Sequence, residues 1–384
     1  MKALNIYAGP AAKLHLAEHG LRPRDVRVVP AAAGGPKGLI LGPLDRYIFG
    51  DWLTQSSQQV DLVGASIGAW RMATACLNDS VIAFNRLEHD YIHQDYDVEP
   101  GRNYPKPSEI SAKFGENLNQ FYGDRVGEVL TNPRYKLHIV TSRGRHMLGR
   151  EHKLATPIGY AGAFFTNAVR RKAMGAWLER VVFSSSASAE PGADGAAMAA
   201  SPSTHLLSPS PSSAPTPLPF GTQDYRTRQV HLTHDNFKPA LQASCSIPFV
   251  LQAVHNIPGA PRGAYWDGGI TDYHLHLNYA TTDGIVLYPH FQKAVVPGWL
   301  DKALKWRHGA THFLDRMVVL APNPDWVAKL PRAKLPDRQD FAFHGRDLAA
   351  RVAQWTTCTS AAQQMADEFA AWLEKPDVAA VQPF

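Results

Sequence analysis

Apolar residues along this chain follow two rhythms. Short unbroken apolar runs alternate with longer stretches in which apolar residues return every three to four positions. The first rhythm marks strands covered on both faces, and the second marks the helices that cover them. Asp25-Val26-Arg27-Val28-Val29-Pro30-Ala31-Ala32-Ala33 reads as a strand, and residues 39–53 follow it with helical spacing. Val60-Asp61-Leu62-Val63 is a second strand, and residues 69–77 a second helix. Residues 11–20 read as an earlier short helix ending on Gly20. Strand, loop, helix, twice over, is the opening of a parallel α/β sheet, and such sheets place their sites at the carboxyl ends of the strands.

Further on, residues 84–92 look helical, 99–107 look like a loop, 135–142 read as a strand and 164–182 as a helix. Residues 228–233 predict a strand and 237–245 a short helix. Gly284-Ile285-Val286-Leu287-Tyr288-Pro289 and Arg316-Met317-Val318-Val319-Leu320-Ala321-Pro322 are again short apolar runs of the buried-strand kind. Residues 347–374 read as one long closing helix with a loose tail after it. Residues 184–219 break the rhythm. Ser, Ala and Pro dominate there, with too little apolar surface to offset chain entropy, so a disordered insertion is expected, as a lid or as a surface loop. No internal repeat is visible.

Composition adds bounds. The 384 residues suffice for one large domain or two modest ones. Charged residues make up 19% of the chain, below the usual quarter or so. The net charge of +5 is spread along the chain without a Lys/Arg block, which excludes a nucleic-acid arm. Such a mild excess suits an anionic lipid interface or is ordinary surface charge. Cys76, Cys245 and Cys358 form no C-x-x-C pair, and three sparse cysteines fit a reducing compartment, hence the cytoplasm. The start of the chain lacks the pattern of a secretory signal, and no apolar run is long enough to span a bilayer, so any membrane contact is expected to be peripheral.

The candidate chemistry sits in three turns. Gly64-Ala65-Ser66-Ile67-Gly68 carries the apolar run at 60–63 into a helix, with one hydroxyl at the apex. A Ser on a sharp strand-to-helix turn is the nucleophile-elbow pattern, although a tight turn with a capping Ser reads the same way. Gly34-Gly35-Pro36-Lys37-Gly38 offers backbone N–H groups at a helix start, suited to an oxyanion or a phosphate. It fits neither the P-loop, where Lys is followed by Ser or Thr after Gly, nor the dinucleotide fingerprint. Asp267-Gly268-Gly269 puts a carboxylate at another strand tip, as a base for the Ser or as an ordinary Asp-Gly turn. Many histidines follow Ser66, and none sits in a signature that singles it out; His274 and His276, two apart, lack a third ligand pattern for a metal.

In this order, the three pieces resemble the patatin-like phospholipase family, whose pattern is a Gly-rich oxyanion loop with a basic residue and Gly, then G-x-S-x-G, then a distant D-G-G or D-G-A. Ala243-Ser244-Cys245-Ser246-Ile247-Pro248-Phe249 is similar to the family's A-S-x-A-I-P segment, and the resemblance covers roughly residues 26–290. It implies a three-layer α/β fold with a mainly parallel central sheet flanked by helices. The acyl hydrolase domain would span 1–290, and 291–384 would be a C-terminal extension, with a strand and a long helix, packed on it. Ser66 would be the nucleophile and Asp267 the base of a dyad without a catalytic His. The loop Gly34-Gly35-Pro36-Lys37-Gly38 would form the oxyanion hole, with Lys37 where the family more often has Arg and Ala33 where it has its first Gly. The implied reaction is hydrolysis of glycerolipid acyl esters through an acyl-serine, with no metal or cofactor; the implied partner is a lipid or acyl ester, with no nucleic acid. The alternatives are a Ser-His-Asp esterase and a silent lipid-binding or interaction module of the same fold.

Overall fold

Val26–Ala31 and Val60–Ala65 lie side by side in parallel, with Val28 beside Asp61 and Ala31 beside Gly64. Branched side chains favour extended backbone, and in both strands only one position is not fully buried. The computed structural model describes residues 1–96, 105–186 and 214–384. Among these residues both strands belong to one eleven-stranded, mixed and mostly parallel sheet. In chain order its strands are β1 (Leu4–Ala8), β2 (Val26–Ala31), β3 (Val60–Ala65), β4 (Tyr135–Gly144), β5 (Leu178–Ser184), β6 (Thr227–His231), β7 (Val254–His255), β8 (Ala264–Asp267), β9 (Ile285–Pro289), β10 (Met317–Pro322) and β11 (Gln382–Pro383). Across the sheet the order is β11-β1-β10-β9-β2-β3-β4-β5-β6, with β8 joined to β4 and β7 to β8.

The helices are α1 (Pro10–His19), α2 (Gly42–Tyr47), α3 (Ile67–Ala75), α4 (Ser80–Ile92), α5 (Pro107–Tyr122), α6 (Val126–Leu130), α7 (Ala155–Val169), α8 (His234–Cys245), α9 (Pro324–Val327), α10 (Gln339–His344), α11 (Leu348–Ala361) and α12 (Gln363–Glu374). Every residue of α3 is buried. Its one charge, Arg71, is held by Asp45 of α2 through two hydrogen bonds of 2.6 and 2.7 Å. The core is continuous from Leu4 through Val28, Leu62 and Ile139 to Val319.

The strand that organises the site is β4. It pairs with β3 in parallel from Tyr135 to Val140, and with β8 in antiparallel from Thr141 to Arg143. Its other edge is taken by β5. The carboxyl ends of β3 and β8 therefore meet head to head, Ala65 opposite Val140 and Asp267 opposite Thr141.

Several expectations need correction. The helix expected over 164–182 stops at Val169; after a 3₁₀ stretch the chain becomes β5, because Val181, Val182 and Phe183 are buried on both faces beside β4. Residues 39–53 turn helically but change pitch, from a 3₁₀ stretch to α2, then a π turn and a last 3₁₀ turn. The long closing helix is two helices with a break at Ala362. The tail is anchored: Val381 is buried, and β11 pairs with Tyr7 and Ala8. The insertion expected over 184–219 is ordered at both ends, where Ser184 belongs to β5 and Thr216 donates its N–H to Ser185; residues 187–213 lie outside the described residues. So does most of the loop expected over 99–107. The boundary placed at 290 falls between β9 and β10, which pair with each other. Residues 291–384 are thus woven into the sheet rather than packed on it, and Glu368 of α12 accepts the N–H groups of Ala3 and Leu4.

Candidate active site

The chain leaves β3 at Ala65 and enters α3 at Ile67, so Ser66 alone makes the turn. It does so at φ 57° and ψ −132°, a conformation costly for a residue with a side chain. The flanking glycines allow it. A Cβ at Gly64 would lie 2.4 Å from the Cα of Ala69, and one at Gly68 would lie 1.9 Å from the carbonyl oxygen of Ala31. A tether from α8 holds the turn: Ser66 donates its N–H to Ser244 Oγ at 2.9 Å, and Ser244 Oγ donates to the Val140 carbonyl at 2.7 Å.

Asp267 arrives from the opposite direction on β8. Ser66 Oγ donates to its Oδ2 at 2.7 Å, and the Gly269 N–H donates to its Oδ1 at 2.7 Å. Gly268 presses against β4, since a Cβ there would lie 2.1 Å from the Val140 carbonyl oxygen. Both dyad residues are buried, Ser66 at 4% and Asp267 at 5% exposure. Burial pushes the Asp267 carboxyl above its ordinary pKa, against the opposing pull of the Ser66 hydrogen bond, Arg338, the Gly269 N–H and Lys302. The two side chains that the sequence singled out are thus in hydrogen-bond contact. No histidine among the described residues hydrogen-bonds to either. His274 bonds the Ala294 carbonyl through Nδ1, and His276 bonds Val295 and Thr311. Burial lowers both imidazoles, His276 to about 4. Among the described residues no three His, Cys, Asp or Glu side chains are grouped to hold a metal ion.

The Gly-rich loop follows β2. Gly34 is extended, and Gly35 is left-handed at φ 56° and opens a 3₁₀ stretch. A Cβ at Gly34 would strike the Phe291 ring at 2.5 Å, so the loop runs flush against that ring. Gly34, Gly35, Pro36 and Lys37 all border the cavities around the dyad. Gly38 does not; it packs under Ile67 and Arg71. The five-residue loop expected to hold an oxyanion therefore contributes its first four residues to the site and its last to the packing beneath.

Two cavities meet at the dyad. One, of about 310 Å³, is apolar, lined by Pro36, Ile67, Trp70, Phe114, Leu251 and Phe341, with Ser66 in its wall. The other, of about 220 Å³, exposes Asp267 beside Lys37, Lys302 and Arg338. Ile247 and Arg338 border both. Sequence reasoning missed Lys302 and Arg338, which carry no local signal and reach the site from beyond β9. It named Ser244 only as part of a string; the short helix ending in Ser244-Cys245-Ser246 was the available clue, because a Ser at that end faces the strand tips.

The chain matches no family model, no curated protein and no solved structure.

Proposed function

We propose that this chain is a serine acyl hydrolase that cleaves lipid acyl esters with a Ser66–Asp267 dyad. The observation that carries the reading is the 2.7 Å hydrogen bond from Ser66 Oγ to Asp267 Oδ2, made at a strained turn in the wall of an apolar cavity. Ser66 Oγ attacks the ester carbonyl carbon and its proton passes to Asp267 Oδ2. The tetrahedral oxyanion is stabilised by N–H groups of the loop at Gly34 and Gly35. Collapse breaks the ester C–O bond, and Asp267 returns its proton to the leaving alkoxide. Water then attacks the acyl-Ser66 carbonyl as Asp267 takes its proton; collapse breaks the bond from Ser66 Oγ to the acyl carbon, Asp267 returns the proton to Oγ, and the acid is released. The raised pKa of Asp267 makes it a stronger base than an exposed aspartate.

The apolar cavity suits an acyl chain, and the cavity with Lys37, Lys302 and Arg338 suits the polar alcohol portion. The convergence of the Gly loop, the elbow and Asp267-Gly268-Gly269 in space supports the patatin-like reading, including helical layers on both sides of the sheet. No helix among the described residues is long and apolar enough to cross a membrane, so a membrane-resident ester would be met from the surface.

A fluorophosphonate probe tests the reading. Wild-type protein is expected to label, and Ser66→Ala to lose all labelling and all turnover of a soluble acyl ester. Labelling that survives Ser66→Ala, or a wild-type chain that neither labels nor turns over esters, would overturn it and leave the silent-module alternative.

A further inference from the structure

The outward face of α7 is apolar where a surface helix is normally polar. Leu154, just before the helix, and Ile158, Phe165 and Val169 within it recur at helical spacing on one face, and all are 59–88% exposed. From Ala155 to Val169 the helix contains no charged residue. Two further exposed aromatic residues stand beside α7, on chain segments that touch its inner side and its end. Phe249 is 60% exposed and its ring lies 6.0 Å from that of Tyr160 on α7. It is held at φ 68°, a left-handed conformation expensive for an aromatic residue. Trp306 is 73% exposed, and the next residue, Arg307, donates to the Ala168 carbonyl at the end of α7. Monomeric soluble surfaces rarely carry an apolar stripe along a whole helix, with exposed aromatic residues beside it, without a use.

Charge selects the occupant. Cations bracket the helix, with Arg150 and Lys153 before it and Arg170 and Lys172 after it, all exposed. Against these four cations the flanking segments carry one exposed acid, Glu151, which accepts the Ala253 N–H. An uncharged helix about 22 Å long, with aromatic residues at its margins and cations at both ends, is the composition of a helix lying in a lipid interface. Val250, next to Phe249 and itself exposed, lines the apolar cavity that contains Ser66.

We propose that the outer face of α7, with Phe249 and Trp306, docks on an anionic lipid surface and sets the mouth of the apolar cavity against it. The proposal rests on the acyl-hydrolase reading for its purpose, but its test is separate. The full chain is floated with vesicles of phosphatidylcholine alone and of phosphatidylcholine with phosphatidylserine. Wild-type protein is expected to bind the mixed vesicles, and high salt to weaken binding. The double substitution Ile158→Glu, Phe165→Glu is expected to lower the partition coefficient at least about tenfold. Each of Arg170→Gln and Lys172→Gln lowers it about fivefold, on the mixed vesicles only. Ile82→Glu, at an exposed apolar position on α4, serves as the control that keeps binding. The cation variants keep the test decisive if the double variant misfolds. Binding that ignores phosphatidylserine, or that survives the double substitution in a folded chain, would overturn the proposal. So would a wild-type dimer in solution that Phe165→Glu converts to monomer, since a second copy would then cover the face. Labelling of the same samples with the fluorophosphonate separates the two readings: a chain that floats without labelling refutes the hydrolase, and one that labels without floating refutes the docking face.

Discussion

Ser244 is the residue on which the geometry of Ser66 hangs, and Ser244→Ala measures it. The hydroxyl is fully buried, accepts the Ser66 N–H at 2.9 Å and donates to Val140 at 2.7 Å. Each bond contributes about 1 kcal/mol net, and a buried N–H left without an acceptor costs about 1–3 kcal/mol, so the variant should lose roughly 2–4 kcal/mol. An unfolding entropy of about 2.1 cal/mol/K per residue gives roughly 0.8 kcal/mol/K for a chain of 384 residues. The thermal midpoint is therefore expected to fall by about 2–5 °C. The kinetic effect should be larger than the thermal one. Ser66 sits at φ 57° because the tether holds it there, and a shift of about 1 Å in a nucleophile can cost on the order of 100-fold in rate. The assay pairs scanning calorimetry with the rate of fluorophosphonate labelling. Ser246→Ala is the matched control, because that hydroxyl, just past the end of α8, only donates back to the Gln242 carbonyl in its last turn; it should move the midpoint by no more than about 1 °C. If Ser244→Ala also stays within about 1 °C and labels within about twofold of wild type, the tether does not hold the turn and the reasoning fails.

Other predictions follow from the same structure. Asp267→Asn should lower kcat/KM on a soluble ester by roughly 10²–10⁴. It should also raise the thermal midpoint, because burial disfavours the ionised carboxylate that it removes. On the proposed mechanism, that same shift should set an acid limb in the wild-type rate profile: the base works only when ionised, so activity should be lost as pH falls through a pKa above the ordinary aspartate range. Gly68→Ala places a Cβ 1.9 Å from the Ala31 carbonyl oxygen and should abolish labelling and cost about 1–3 kcal/mol or more. Gly127→Ala meets open space in α6 and should be neutral or stabilising by up to about 1 kcal/mol in denaturant unfolding. Arg180→Leu breaks a fully buried pair with Asp272 at 2.6 Å and should destabilise by about 3–5 kcal/mol. Burial opposes ionisation of Asp272, but Arg180 and Arg171 outweigh it and hold its carboxyl below the ordinary range. The stability it lends is present above the ordinary aspartate pKa and lost as pH falls through the depressed one, so acid unfolding should begin at higher pH in Arg180→Leu.

The strands β2, β3, β9 and β10 were legible because burial on both faces writes an unbroken apolar run. Leu178–Ser184 was not, since it follows an apolar helix with only eight residues between, six of them 3₁₀, and periodicity runs the two together. Helix α5 escaped because only Ser111, Leu118, Phe121 and Tyr122 of its sixteen residues are buried. Ser66 and Asp267 were legible for a different reason. Each needs glycine beside it to fit against a neighbouring backbone, and that steric demand leaves a mark in the string. Lys302 and Arg338 need no special neighbours; their place at the dyad depends on how residues beyond 290 thread the sheet, which no local pattern records.

The head-to-head meeting of β3 and β8 along β4 also fixes a timetable. The two partners of the dyad are 201 positions apart in the chain. Synthesis proceeds at roughly 5–20 residues per second, so on the order of 10–40 s pass between the appearance of Ser66 and that of Asp267. Through that interval Ser66 has no proton acceptor, however completely β2, β3 and β4 have already paired. On the acyl-hydrolase reading proposed above, the serine is armed only when β8 docks, by which stage β2 to β6 can already have paired while β1 still awaits β10.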